Sequence, residues 1–266
     1  MQQHSPMGSS TPPAAKSSRL IISAASVALL GVIWAAAAWI TADRTLLPYP
    51  AEVASIFWAE LRSGEIWFHL SATLLRVIGA FVLAMSIGCA LGIFAGRKPA
   101  FNAWADPWII IFLNLPALVT IVLCYLWIGL NEVAAIVAVA ANKIPMITVM
   151  MREGARALNP ALDDMAQAFQ MPRLKTWRHV IAPQLAPHFA ASARSGLALI
   201  WKIVLVVEFL GRSNGIGFQI HLFFQLFEVG HILAYAFSFI LVMLLIEYLI
   251  VQPWEKSASK WRLNES

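Results

Sequence analysis

The chain has 266 residues, 60% of them hydrophobic and only 12% charged, against roughly 25% charged in a water-soluble globular domain. That balance excludes a soluble fold and indicates an all-α membrane protein, since apolar runs of this length cross ~30 Å of hydrocarbon at about 1.5 Å per residue. The formal charge of +5 would suit nucleic-acid binding, but no soluble basic domain carries it, so the excess is read as topology.

Residues 1–19 are rich in Ser, Pro and Gln without apolar periodicity, and a disordered cytoplasmic tail is expected there. A secretory signal is the rival reading, disfavoured because the apolar run at 20–40 exceeds the ~7 to 15 residues of a signal core. About six spans are predicted, at 20–40, 74–95, 108–128, 133–151, 189–210 and 232–250. The first belongs to a segment 20–46, the rest to a core domain 69–252, and 253–266 forms a cytoplasmic C-terminal tail. Between the first two spans, residues 47–68 contain Pro48, Pro50, Glu52, Glu60 and Glu65. This periplasmic segment is too polar to cross and is expected to form a short helix at the outer surface.

With the N-terminus inside, most of the 19 Lys and Arg fall on the inner face, and only Arg44, Arg62 and Arg212 lie outside. Both termini are therefore placed in the cytoplasm. In the second span Ala80, Ala84, Gly88, Gly92 and Gly96 recur every four residues, a ridge that lets another helix backbone approach closely. Cys89 and Cys124 sit inside apolar runs and read as small buried hydrophobes.

The inner loop 152–187 reads as two short helices. Asn159 caps the first, Pro160 suits its first turn, and Asp163 and Asp164 sit where the helix dipole favours negative charge. Leu162, Met165, Ala166 and Phe169 form one apolar stripe. The second helix begins at Pro172, carries Leu174, Trp177 and Ile181 on one side with Arg173, Lys175, Arg178 and His179 elsewhere, and is expected to stop at Ala182 and Pro183. Such a basic amphipathic pair fits a docking element for a groove in a partner or an interfacial helix on anionic lipid.

The stretch Glu153-Gly154-Ala155-Arg156-Ala157-Leu158-Asn159-Pro160, with Val180-Ile181-Ala182-Pro183, resembles the cytoplasmic EAA loop of ABC importer permeases. Leu126-Trp127-Ile128-Gly129-Leu130-Asn131-Glu132, Trp201 with Glu208, and Asn214-Gly215-Ile216-Gly217-Phe218 are similar to the nitrate, sulfonate and taurine branch. The resemblance implies a type I importer permease fold and a non-catalytic subunit in the bacterial inner membrane. It implies a path for a small oxyanion or organic acid, with partners that are two ABC ATPases, a second permease copy and a periplasmic binding protein. It also implies ATPase coupling through Asn159, Leu162, Asp164, Met165, Ala166, Phe169, Gln170 and Trp177. The family's glutamate and first alanine stand here as Asp164 and Met165, its glycine as Gln170 and its leucine as Ala182; Gln170 takes positive φ less freely than glycine.

No glycine is followed by lysine, so a GxxxxGK[ST] phosphate loop cannot be written; ATP and magnesium are assigned to the partner ATPase and no cofactor to this chain. The histidines show no metal-ligand spacing. Arg76, Lys143, Lys202, Glu208 and Glu247 lie in or near spans, where a charge faces a partner or an aqueous path. Arg76 and Glu208, both in the outer half, are expected to pair. Lys143 and Lys202 are candidates for lining an anion route, with Arg76 and Glu208 as further path candidates. Pro116 and Pro145 permit kinks for gating or for packing alike. An ion-coupled secondary carrier, with Glu208 and Glu247 as coupling sites, is the alternative, and a membrane scaffold without transport is a third reading.

Overall fold

The computed structural model describes residues 13–251 and residue 253, and every regular element among them is helical. Calls on residues 1–12 and on the C-terminal tail beyond 253 lie outside the described residues. Helix α1 runs Pro13–Thr41, α2 Pro50–Ser63, α3 Glu65–Arg97, α4 Pro99–Asn114, α5 Ala117–Ile128 and α6 Glu132–Arg156. Then follow α7 Pro160–Ala168, α8 Arg173–Thr176, α9 Ala182–Gly211, α10 Ile216–Gln225 and α11 Val229–Ile246. The expected tail is helical from Pro13 onward, seven residues upstream of the predicted start.

Among the described residues three helices, Glu65–Arg97, Glu132–Arg156 and Val229–Leu249, are long and apolar enough to cross a membrane, or four counting one bent pair, against the six spans expected; the apolar stretch at the end of α1, Ala25–Thr41, is shorter. The third predicted span, 108–128, is not one helix. It divides into α4 and α5, bent by 98°, because Pro116 has no N–H to continue the ladder and biases Leu115 away from helical geometry; Leu115 is extended at φ −69°, ψ 123°. Pro145, by contrast, sits inside an unbroken α6. Helix α9 is 30 residues long, enough to cross, but Arg194, Lys202 and Glu208 interrupt its apolar character.

Helices α3 and α6 form the centre of the bundle. They run parallel: Gly79 lies against Ile136 near one end, Gly88 against Ile147, Gly92 against Met151, and Gly96 against Ala155 at the other. The four-residue spacing of Ala80, Ala84, Gly88, Gly92 and Gly96 puts all five on one stripe, and the stripe is the contact. In lipid no hydrophobic drive separates helix from solvent, so association depends on such close approach. Helix α9 packs on the same pair, its Gly196 facing Ile147. Helix α2 is the predicted short helix of the 47–68 segment, fixed to α11 by the Tyr235 hydroxyl donating to Glu60 Oε2 at 2.9 Å.

The ridge yields the first test. A Cβ added at Gly92 would sit 2.7 Å from Met151 Cβ and equally tight against the α6 backbone, whereas one at Gly79 meets only the tip of Ile136 at 3.2 Å. Gly92→Val is expected to abolish folded protein in detergent extracts, and Gly79→Ala to leave it intact. Size-exclusion chromatography of the two variants measures this.

Candidate functional site

Two polar regions lie at opposite ends of α3. Near its start, Arg76 is buried and surrounded by acceptors. Its Nε and Nη2 donate to the two oxygens of Glu132, each at 2.7 Å, and Nη1 donates to Glu208 Oε1 at 2.7 Å and to the Asn214 carbonyl at 2.9 Å. Nη2 also donates to Asn214 Oδ1. All five guanidinium hydrogens are used, the full donor capacity of the group. Glu208, fully buried, takes Thr73 Oγ1 and the Gly217 N–H on its other oxygen, both at 2.9 Å. Arg212 adds a second cation on Glu132. Two arginines and two glutamates give a neutral cluster, which is what burial of charge demands.

The loop after α9 is shaped by this cluster. Three successive amides point back at α3 and α9: Gly215 N–H donates to His69 Nδ1 at 3.0 Å, Ile216 N–H to Thr73 Oγ1 at 2.9 Å and Gly217 N–H to Glu208. Gly215 has φ +109°, a region an L side chain rarely enters. On the other side, Asn131 Oδ1 caps α6 by accepting from Ala134 N–H at 2.9 Å, which places Glu132 against Arg76. The expected Arg76 and Glu208 pair is present. Glu132 and Asn214 stand in the motifs that carry the resemblance but were given no role at the site, and Thr73 and His69 were not singled out; nothing in the sequence ties Glu132 to an arginine 56 positions earlier.

At the other end, the inner loop forms the two predicted docking helices. Asn159 Oδ1 caps α7 by accepting from Ala161 N–H at 3.0 Å. Within the stripe Ala166 faces inward and is buried, while Leu162, Met165 and Phe169 are 36%, 40% and 76% exposed. Gln170 takes φ +50°, the left-handed position the helix end needs, so that Met171 N–H reaches the Ala166 carbonyl at 2.9 Å. A non-glycine residue there costs about 1–2 kcal/mol, yet the turn forms. Asp164 lies on this first helix, and Trp177 follows the second at the start of a widened turn.

The second docking helix does not stop at Ala182 and Pro183. After α8 the chain makes one widened turn, Trp177–Ile181, and runs directly into α9. In that turn Ala182 N–H reaches back five residues to the Trp177 carbonyl, and the extra width admits the Pro183 ring without ending the helix. Two further polar ties hold the pair to the bundle: Asn159 N–H donates to Gln184 Oε1 at 2.9 Å, and Arg97 pairs with Asp163 at 3.5 Å.

The other candidates are scattered. Lys143 is 9% exposed on α6, Lys202 is exposed on α9, and neither has an ion-pair or hydrogen-bond partner among the described residues. Glu247 pairs with Arg194 at 3.5 Å. The structure therefore joins Arg76 to Glu208 but brings neither lysine to them.

The architecture is a helical bundle in which α9 runs opposite to the parallel pair α3 and α6, with a broken span and a helical pair at one end. A chain of the inward-facing MetNI methionine ABC transporter structure has the same fold, with a TM-score of 0.59 over 76% of this chain and 97% of that one at 16% identity. The chain belongs to the family described as binding-protein-dependent transport system inner membrane component, whose model matches residues 88–251. It is thus the membrane-embedded permease subunit of an ABC importer. Among its relatives, the Bacillus subtilis (strain 168) aliphatic sulfonates transport permease protein SsuC is 26% identical over 83% of this chain and 79% of its own length. The Escherichia coli (strain K12) taurine transport system permease protein TauC is 24% identical over 72% of each.

The cluster makes a sharp thermodynamic demand. Removing one member of a buried pair strands the other and costs about 3–5 kcal/mol, whereas replacing both with apolar groups can be near neutral. Arg76→Met and Glu208→Met are each expected to lower thermal stability in detergent more than the double variant Arg76→Met, Glu208→Met. A double-mutant cycle on unfolding temperature checks the order.

Proposed function

We propose that this permease couples ATP hydrolysis in two separate ATPase subunits to passage of a small oxyanion or organic acid such as nitrate, a sulfonate or taurine. In this reading the chain lies in a bacterial inner membrane with both termini cytoplasmic. A second copy completes the path, and a periplasmic protein delivers the solute. ATP and magnesium belong to the ATPase, and no cofactor belongs to this chain. The relatives named for sulfonates and taurine support the solute class.

The observation that carries the coupling role is the uncovered apolar ridge of Leu162, Met165 and Phe169 on α7. Exposed apolar side chains beside charged ones, on a short rigid helix outside the bundle, suit a groove in a partner protein. Asn159, Asp164, Ala166 and Gln170 shape that helix and its turn, and Trp177 starts the widened turn that leads from α8 into α9. A push on α7 then reaches α9 through Gln184 and the continuous backbone, and α3 through Arg97. Closure of two ATPases beneath the pair would move these helices as rigid bodies and switch access across the membrane. Lys143 and Lys202, the cations without partners, are assigned to the anion route; Arg76 and Glu208 neutralise each other and are assigned to holding the outer end.

Burying a side chain the size of Phe169 is worth roughly 1.5–3 kcal/mol. Phe169→Asp is expected to reduce copurification of the ATPase at least tenfold and to abolish uptake, with normal insertion. Full uptake by that variant would remove α7 from coupling.

Sidedness is tested separately. In a background lacking Cys89 and Cys124, Ser63→Cys is expected to react with an impermeant maleimide in intact cells, and Lys175→Cys only after the membrane is opened. Both positions are exposed on the chain, so a reversed pattern would invert the topology.

A further inference from the structure

The cytoplasmic end of α3 carries a second feature, adjoining the coupling residues. Two cavities of ≈ 950 and ≈ 490 Å³ adjoin there, sharing Arg97, Arg173 and Trp177. The larger continues along α3 over Cys89, Ala90, Ile93 and Phe94 and also includes Lys98. Its cations are in excess. Asp163 is the one acidic residue lining either cavity, and it is already paired with Arg97. The side chains of Lys98 and Arg173 have no partner among the described residues.

The depth of this crevice can be read from the helix. Residues 77–96 of α3 contain no charge between Arg76 and Arg97, and twenty residues at 1.5 Å each span ~30 Å, the thickness of the hydrocarbon layer. Arg97 and Lys98 therefore lie at the level of lipid phosphates. Cys89, eight residues earlier, lies about 12 Å into the acyl region. Trp177, with one polar edge and an apolar body, stands at the boundary where such rings settle. One crevice thus offers unpaired cations at phosphate level and an apolar wall running inward from them.

We infer that this crevice is a binding site for an anionic phospholipid, its phosphate held by Lys98 and Arg173 and one acyl chain lying along Ala90, Ile93 and Phe94. A free anion would use the cations and leave the apolar wall bare; a neutral lipid would use the wall and leave the cations unpaired. Basic pockets against transmembrane helices on the cytoplasmic side have this ligand chemistry. The bound lipid would sit against Arg97 and Trp177, beneath α7 and at the start of the widened turn that leads into α9, so that headgroup charge bears on the seat of the docking pair. The site rests on the reading of this end as cytoplasmic.

The test uses the purified full chain with phosphatidylglycerol or phosphatidylcholine, and native mass spectrometry to count retained lipid. Each basic residue near the surface contributes about 1 kcal/mol, so the double variant Lys98→Gln, Arg173→Gln is expected to bind phosphatidylglycerol ~25-fold more weakly, with phosphatidylcholine binding unchanged. Ala90→Trp, which fills the apolar wall with every cation intact, is also expected to evict phosphatidylglycerol, and glycerol phosphate is expected not to compete. Unchanged phosphatidylglycerol retention in the double variant overturns the site. So does loss of ATPase association in that variant with lipid binding intact, which would give the cations to a protein partner. Displacement by glycerol phosphate, or indifference to Ala90→Trp, would reduce the site to a free-anion pocket. Lipid retention in detergent is blind to sidedness, so its failure and a reversed maleimide pattern are distinguishable.

Discussion

The close approach of α3 to α6 is the constraint on which the remaining structure depends. Lipid offers helices no hydrophobic reward for meeting, so backbone-to-backbone contact and polar ties must supply the association. The ridge from Ala80 to Gly96 gives that contact over most of the bilayer thickness. Because the two helices run parallel, one register sets both ends. It brings Glu132 at the start of α6 to Arg76, and Arg152 near its end to Asp106 and Asn102 on α4, at 2.5 and 3.1 Å. A shift of one helix along the other would break both sets at once.

The two ends are built differently. The Arg76 end is closed: five donors meet five acceptors, three loop amides are engaged, and glycines at 215 and 217 let the backbone come within reach of Glu208. The opposite end has longer and fewer ties. Arg97 and Asp163 are separated by 3.5 Å and partly exposed, and cavities separate the docking pair from α3. Exposed ion pairs contribute little to stability, so this end is held less firmly than the other, as the proposed coupling requires. In the proposed coupling, continuity of α8 with α9 would convert a local displacement into movement of a whole span.

How far the sequence discloses this depends on the range of each interaction. The small-residue ridge, the Asn159 cap and the α7 stripe are local patterns, legible because helical periodicity places their members on one face. The partnership of Arg76 and Glu208 was legible from a different argument, since two opposite charges at like depth in lipid need each other. Long-range geometry was not legible. Glu132 and the amides of Gly215 and Gly217 complete the same cluster, but backbone donors leave no mark in composition. Pro116 and Pro183 show the limit of reading a breaker alone. Both lack an N–H, yet one divides a span by 98° while the other is carried through by a widened turn. What differs is the chain around them: α5 begins after a sharp reversal at the Leu115 backbone, and α9 already has its turn set by the Trp177 carbonyl.

The charges within the bundle are a case where magnitude decides role. An ion moved from water into the interior loses several kcal/mol even after relaxation, and the protein meets that loss at Arg76 by saturating every donor. Lys143 receives no such treatment, although it is nearly as buried. A lysine in that state either gives up its proton or finds water or a counter-charge, and α6 is a helix whose two ends are anchored by Glu132 and Arg152. The anion route proposed for Lys143 rests on this contrast: a lysine on so fixed a helix, without a partner among the described residues. Arg76 has no vacancy for an anion, because its charge is already neutralised and its hydrogens already given.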